Sequence, residues 1–303
     1  MNRFKTLMLR EWMQHQRGWL ILVALPILIV LVAGIAGHAQ VNFADHEDEV
    51  PTPLVVALGV TVGIAALTFV LAWGAALLQS PGLARRDIQD RSVEFWLSLP
   101  VGHAQSLGAM LLMHLLVLPW AALGVGLAAG LLVSLPLVAK VFGIGAWFAL
   151  PWVTALAAVV ALALRLTLGL LLATLWLSPL ILGTMAASAW LKRWGVPAVA
   201  GVVVVGGTLL DRIYGNPIVW EVLRSLGSHA SRALIAAERD KGPKGLVIES
   251  ADQIDGVLAV APHWLLIDAG HALAALASPT FVAALAAGAL GFALLVLRRQ
   301  RGA

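Results

Sequence analysis

The feature that most constrains this chain is a series of long apolar runs with almost no charge inside them. Leu54 to Leu78 contains no ionisable residue, and Leu107 to Val133 contains only His114. A bilayer core about 30 Å thick is crossed by roughly 20 apolar residues in a helix. Backbone amides in lipid must satisfy one another, so such runs form helices. The whole chain is 60% hydrophobic and 12% charged, with a mean hydropathy of +0.92, far from the balance of a water-soluble domain. The expectation is an all-α polytopic membrane protein. Cysteine is absent, which excludes disulfides, thiolate metal sites and a cysteine nucleophile.

The apolar pattern predicts six transmembrane helices at 18–37, 54–79, 107–133, 166–190, 196–210 and 279–297. Residues 1–17 place Phe4, Leu7, Met8 and Trp12 on one face, with Arg3, Lys5, Arg10 and Glu11 around them. That pattern predicts an amphipathic helix lying in the membrane interface. Pro26 is expected to kink the first span, and Ser80-Pro81-Gly82 to end the second. Arg3, Lys5, Arg10 and Arg17, then Arg85, Arg86 and Arg91, then Lys192 and Arg193, and finally Arg298, Arg299 and Arg301 flank alternate ends of these spans. The link 38–53 carries acids but no Lys or Arg. By the positive-inside rule both termini, the 81–106 loop and the 191–196 turn are expected to be cytoplasmic.

Two regions do not fit a plain count. Residues 136–165 are apolar yet would upset the orientation as a further crossing, so a re-entrant or interfacial element interrupted at Pro151 is expected, with Arg165 snorkelling near the outer surface. Three crossings in place of one, giving eight spans, is the alternative. Residues 211–278 are more polar and are expected to form a helical extracytoplasmic region.

The chemistry-bearing motifs are few. There is no G-x-x-x-x-G-K-[ST] phosphate loop; Gly242-Pro243-Lys244-Gly245 has the wrong spacing. Neither a His-Glu-x-x-His pair nor a Gly-x-Ser-x-Gly elbow occurs. The spans lack the carboxylates from which an ion-coupled carrier builds a relay. His114 reads as a polar contact to a neighbouring helix or as a substrate group. Asp268 and His271, spaced i and i+3, suit a solvated helix face better than a two-ligand metal site. Glycines at 126 and 130, and Gly183 with Ala187, are spaced for close helix approach.

The loop between the second and third spans is different. Within 88–101, Ser92 can cap a short helix, Glu94 lies in its first turn, and Pro100 marks its end. Val93, Trp96, Leu97 and Pro100 share one face, with Phe95 and Leu99 beside them. Two helical turns are unstable alone in water, so this segment needs something to pack against. One candidate is the lipid headgroup layer. The other is a groove on a cytoplasmic partner.

Four stretches, TLMLREWMQHQRGWL, DRSVEFWLSLPVGHAQSL, LWLSPLILGTMAASAWLKRWG and the closing LRRQR, resemble the type-2 ABC transporter permeases, the membrane subunits of ATP-binding-cassette exporters. The resemblance implies six spans, with Phe4, Leu7, Met8 and Trp12 on an elbow helix. Residues Ser92, Val93, Glu94, Phe95, Trp96, Leu97, Leu99 and Pro100 would form a coupling helix against an ATPase. It implies two copies of a separate ABC ATPase subunit carrying ATP and Mg, a second permease subunit in a homodimer, and a bacterial inner membrane. This chain itself would hold no cofactor, metal or catalytic residue and would bind no nucleic acid. The scarcity of charge points to a hydrophobic or amphipathic substrate such as a peptide, drug or lipid. A secondary carrier driven by an ion gradient, or a membrane-embedded enzyme using Asp268 and His271, are the rival readings.

Overall fold

The computed structural model describes residues 3–37, 52–89, 102–236 and 254–301. Among them every regular element is helical. Seven helical stretches are long and apolar enough to cross a membrane: Phe4–Ala36, Pro53–Arg85, His103–Phe142, Trp152–Trp176, Ser178–Tyr214, Gly256–Ala277 and Pro279–Arg301. The chain is therefore an all-α protein of the multi-pass membrane type.

Helix α1, Arg3–Ala36, is unbroken, so the expected interfacial segment 1–17 and the first apolar run form one rod. Its stripe faces the bundle instead of lying apart from it. Leu7 and Trp19 are buried, and Met8 and Trp12 pack against the largest core cluster. Phe4 remains exposed.

Helix α2, Pro53–Gln89, passes straight through Ser80-Pro81-Gly82, where the sequence suggests a stop. The reason is local. Pro81 has no N–H for the carbonyl of Leu77, and the Ser80 hydroxyl donates to that same carbonyl at 2.8 Å. The acceptor is satisfied and the helix continues.

Helix α3, His103–Phe142, contains one π-helical turn at Met113–Val117. Pro119 follows it and cannot donate to the carbonyl of Leu115, which is where the ladder widens. α2 and α3 pack antiparallel. A side chain at Gly130 would lie 2.6 Å from the Thr61 Cα, and one at Gly126 2.8 Å from the Ala65 Cα, so only glycine lets these backbones meet. Thr68 donates its hydroxyl across the seam to the Ala122 carbonyl at 3.1 Å. The expected role of the glycines at 126 and 130 is met; Gly183, by contrast, has no neighbour within 4 Å of where a side chain would start. α1 runs parallel to α3, with Gly34 against Leu137. The Lys140 ammonium donates to the carbonyls of Gly34, Ile35 and Gly37 at 3.3, 2.9 and 2.8 Å, capping the end of α1.

Residues 136–165 are interrupted at Pro151, as expected, and are continuous with the helices on either side. They are the end of α3, a short helix α4 (Ile144–Phe148), a break at Leu150 and Pro151, and the first half of α5, Trp152–Trp176. The indole of Trp147 donates to the Ser134 hydroxyl at 3.1 Å, and that of Trp152 to the Trp147 carbonyl at 3.0 Å. After one residue, Leu177, the chain continues as α6, Ser178–Leu191. The predicted fourth span, 166–190, thus straddles the junction between α5 and α6. At Lys192 the backbone adopts φ 54, and the chain reverses into α7, which spans 195–214 with a π turn at Val202–Gly206. A side chain at Gly195 would come within 2.7 Å of the Ala187 carbonyl carbon, so this tight hairpin requires glycine.

Helices α8 (Ile218–Leu234) and α9 (Ile254–Ala274) pack on α5, and α10 (Pro279–Arg301) packs alongside α6. The described parts of the region, 211–236 and 254–278, are therefore built into the helical assembly, and they include a helix of membrane length. α10 runs parallel to α6: a side chain at Gly288 would meet the Ser178 side chain, one at Gly291 would meet Leu182, and Arg298 and Arg301 lie over the Trp190 ring at 5.7 and 5.9 Å. Arg299 donates to the Ser106 hydroxyl at 3.3 Å. The start of α3 and the ends of α6 and α10 thus share one basic end of the molecule.

Candidate functional site

Among the described residues, four ionisable side chains stand out because they are buried: Glu11, His114, Arg165 and Asp268. They fall into two separate places.

The first place is where α5, α8 and α9 meet. Arg165 is 3% exposed and Asp268 6% exposed, and the Arg165 Nε donates to Asp268 Oδ2 at 2.7 Å. Arg165 Nη1 donates to the Ala233 carbonyl at 2.7 Å, and Asp268 Oδ2 also accepts the Ala236 N–H at 3.2 Å. Ala233 and Ala236 bracket the end of α8, where the chain leaves helical geometry at Ile235. Backbone that stops being helical among apolar surroundings must find partners inside the protein. Here the cation meets a carbonyl at a helix C-terminus, where the helix dipole favours it, and the carboxylate meets the next orphan amide. Gly169 keeps this approach open, since a side chain there would lie 2.8 Å from the Leu234 Cα. Below the pair, Trp176 stacks on His229 at 4.3 Å and packs edge-on against Phe281 at 5.0 Å.

This corrects the expectation that Arg165 snorkels at the outer surface. Leu170, little more than a turn further along α5, packs with Ala65 and Phe69 of α2. The charged pair is therefore level with the uncharged stretch of α2. Asp268 and His271 are not brought together either: Asp268 is enclosed with Arg165, and His271 is exposed.

The second place lies between α1 and the π turn of α3. Glu11, His15 and His114 each offer one ligating atom, and those atoms lie within 4.8 Å of one another. Arg10 holds the Glu11 Oε1 at 2.8 Å, while Glu11 Oε2 is buried with no hydrogen-bond partner. His15 Nδ1 pairs with the Glu11 carbonyl at 3.1 Å, and His114 Nδ1 with the Met110 carbonyl at 3.0 Å. The two imidazoles meet edge to face at 4.7 Å, and Trp19 closes one side at 6.5 Å from His114. Where a hydrogen bond to a neighbouring helix was expected, the His114 Nδ1 pairs with Met110 of its own helix, and the contact with α1 is the edge-to-face one with the His15 ring. The sequence signal for the rest was the i, i+4 spacing of Glu11 and His15, which puts both on one face; nothing local announced that His114 would join them.

Ser92, Val93, Glu94, Phe95, Trp96, Leu97, Leu99 and Pro100, expected to couple to a partner, lie outside the described residues, as do the acidic run 45–49 and Gly242-Pro243-Lys244-Gly245. Comparison with known proteins gives no match: no family model, no characterised sequence and no solved structure aligns with the chain.

Proposed function

We propose that the chain is the membrane subunit of an ATP-driven exporter of the type-2 ABC class. It would work as a homodimer over two separate ATPase subunits, which carry the ATP and magnesium. The observation that most supports this reading is the course of α2, which continues as helix through Gln89, past the end of its uncharged stretch at Leu78. At 1.5 Å per residue that extension is roughly 15 Å long. Leu83 and Ala84 of this extension pack with Leu107 at the start of α3, and the sequence that joins α2 to α3, 90–101, contains Trp96 and its apolar neighbours. An apolar segment in a link flanked by Arg85, Arg86 and Arg91 suits a partner protein.

The buried Arg165–Asp268 pair supports the same reading. A carrier coupled to protons or sodium needs ionisable groups that exchange partners during transport. Arg165 and Asp268 are instead committed to each other and to the end of α8. With no phosphate loop in the sequence, energy has to enter from another subunit.

In this reading the stacked helices α5–α6 and α9–α10 each make one descending pass, and α7 with α8 makes the ascending fifth. The chain then crosses six times, with both termini and the 90–101 segment on the cytoplasmic side of a bacterial inner membrane. The substrate is a hydrophobic or amphipathic molecule. Purification from native membranes in mild detergent is the test. An ABC ATPase co-eluting in equal amount with wild type, and lost in Trp96→Ala with membrane insertion unchanged, supports the proposal. Equal recovery of the ATPase with both variants, or with neither, rejects it.

A further inference from the structure

We propose that Glu11, His15 and His114 form a binding site for a divalent transition-metal ion, with zinc the best match to the ligand set. Two imidazoles and one carboxylate are a zinc donor set that leaves a fourth position for water. The preparation of each ligand is what distinguishes this cluster from a chance gathering of polar groups.

Each histidine places Nδ1 against a backbone carbonyl, which only accepts, so Nδ1 carries the proton and the neutral ring offers its lone pair at Nε2. Ligating histidines are commonly oriented by this kind of outer hydrogen bond. Arg10 fixes one carboxylate oxygen of Glu11, and the other is buried without a partner. A buried carboxylate oxygen that makes no hydrogen bond is costly, and a cation relieves that cost. Glu11 and His15 share a face of α1 by their spacing, and the π turn of α3 supplies His114 from across the interface. His15 is half-buried, which gives the ion a way in.

Zinc bonds of about 2.0–2.1 Å require ligand atoms about 3.3 Å apart in a tetrahedron, so side-chain rotations that draw the atoms together by up to about 1.5 Å close the present spread, which is within 4.8 Å. The ion would pin α1 to α3 near the basic end of the molecule. The inference rests on these side chains alone and holds whatever the chain transports.

The test uses the full-length protein in detergent, with any histidine tag removed, titrated with zinc and separately with cobalt. One equivalent of zinc should bind and raise the thermal unfolding temperature, and cobalt should show tetrahedral visible absorption without a thiolate band, because the chain has no cysteine. His15→Gln and Glu11→Gln should each weaken binding by at least about tenfold. His271→Gln, a change at an exposed histidine, should leave it unaltered. His15 is half-buried on α1, so its variant still reports should His114→Gln fail to fold. Absence of stoichiometric binding, or equal affinity in wild type, His15→Gln and Glu11→Gln, overturns the proposal.

Discussion

Arg165 and Asp268 show how an apolar assembly can contain a full charge of each sign. Each would be expensive alone; together they pair with each other, with the carbonyl of Ala233 and with the amide of Ala236, leaving only Arg165 Nη2 of the guanidinium without a hydrogen-bond partner. Breaking such a pair from one side leaves a buried charge uncompensated and costs about 3–5 kcal/mol. Arg165→Met should therefore lower stability in detergent by that amount, and Arg165→Met with Asp268→Leu should recover part of the loss. The recovery should be incomplete, because the end of α8 still loses its partners. Thermal or denaturant unfolding checks this, and a single variant as stable as wild type would show that the pair is not holding α8. The sequence reading placed Arg165 near the surface because its only local signal was a charge at the edge of an apolar run. Its partner lies 103 residues away, and no local periodicity encodes that.

Helix boundaries were less legible than helix existence. The apolar runs marked where helices would be, and α1, α2, α3 and α10 contain the spans expected of them. A helix runs past its expected end where one side chain repairs a broken ladder, as Ser80 does for Pro81. The reversal at Lys192 falls where the expected fourth and fifth spans part, marked by Lys192 and Arg193, whereas the junction at Leu177 lies inside the expected fourth span. The contact between α2 and α3 was more readable, since glycines four apart signal a close approach. Gly130→Leu should separate these helices, because the new side chain would have to start 2.6 Å from the Thr61 Cα. Forcing bulk into a packed seam costs about 1–3 kcal/mol or more. Gly108→Leu, at a position with no neighbour within 4 Å, is the matched control. Comparable unfolding temperatures for the two variants would contradict the packing described for α2 and α3.

For the molecule as a whole, membrane class was readable from composition, while the site was readable only in pieces. Glu11, His15 and His114 needed two helices brought side by side before they became a cluster. The proposed topology makes a clean prediction, because a chain without cysteine accepts single-cysteine probes against no background. In intact cells, Asp240→Cys should react with an impermeant thiol reagent and Asp90→Cys should not. Reversed labelling would invert the assignment of sides. The claim on which the functional reading depends is that the bundle takes its energy from an ATPase through the segment around Trp96. The most direct measurement is substrate movement in proteoliposomes containing the purified chain, with and without its co-purified ATPase and ATP. Transport is expected only when both are present, and is expected to be lost in Trp96→Ala. Transport by the chain alone, driven by a proton or sodium gradient, would contradict the account.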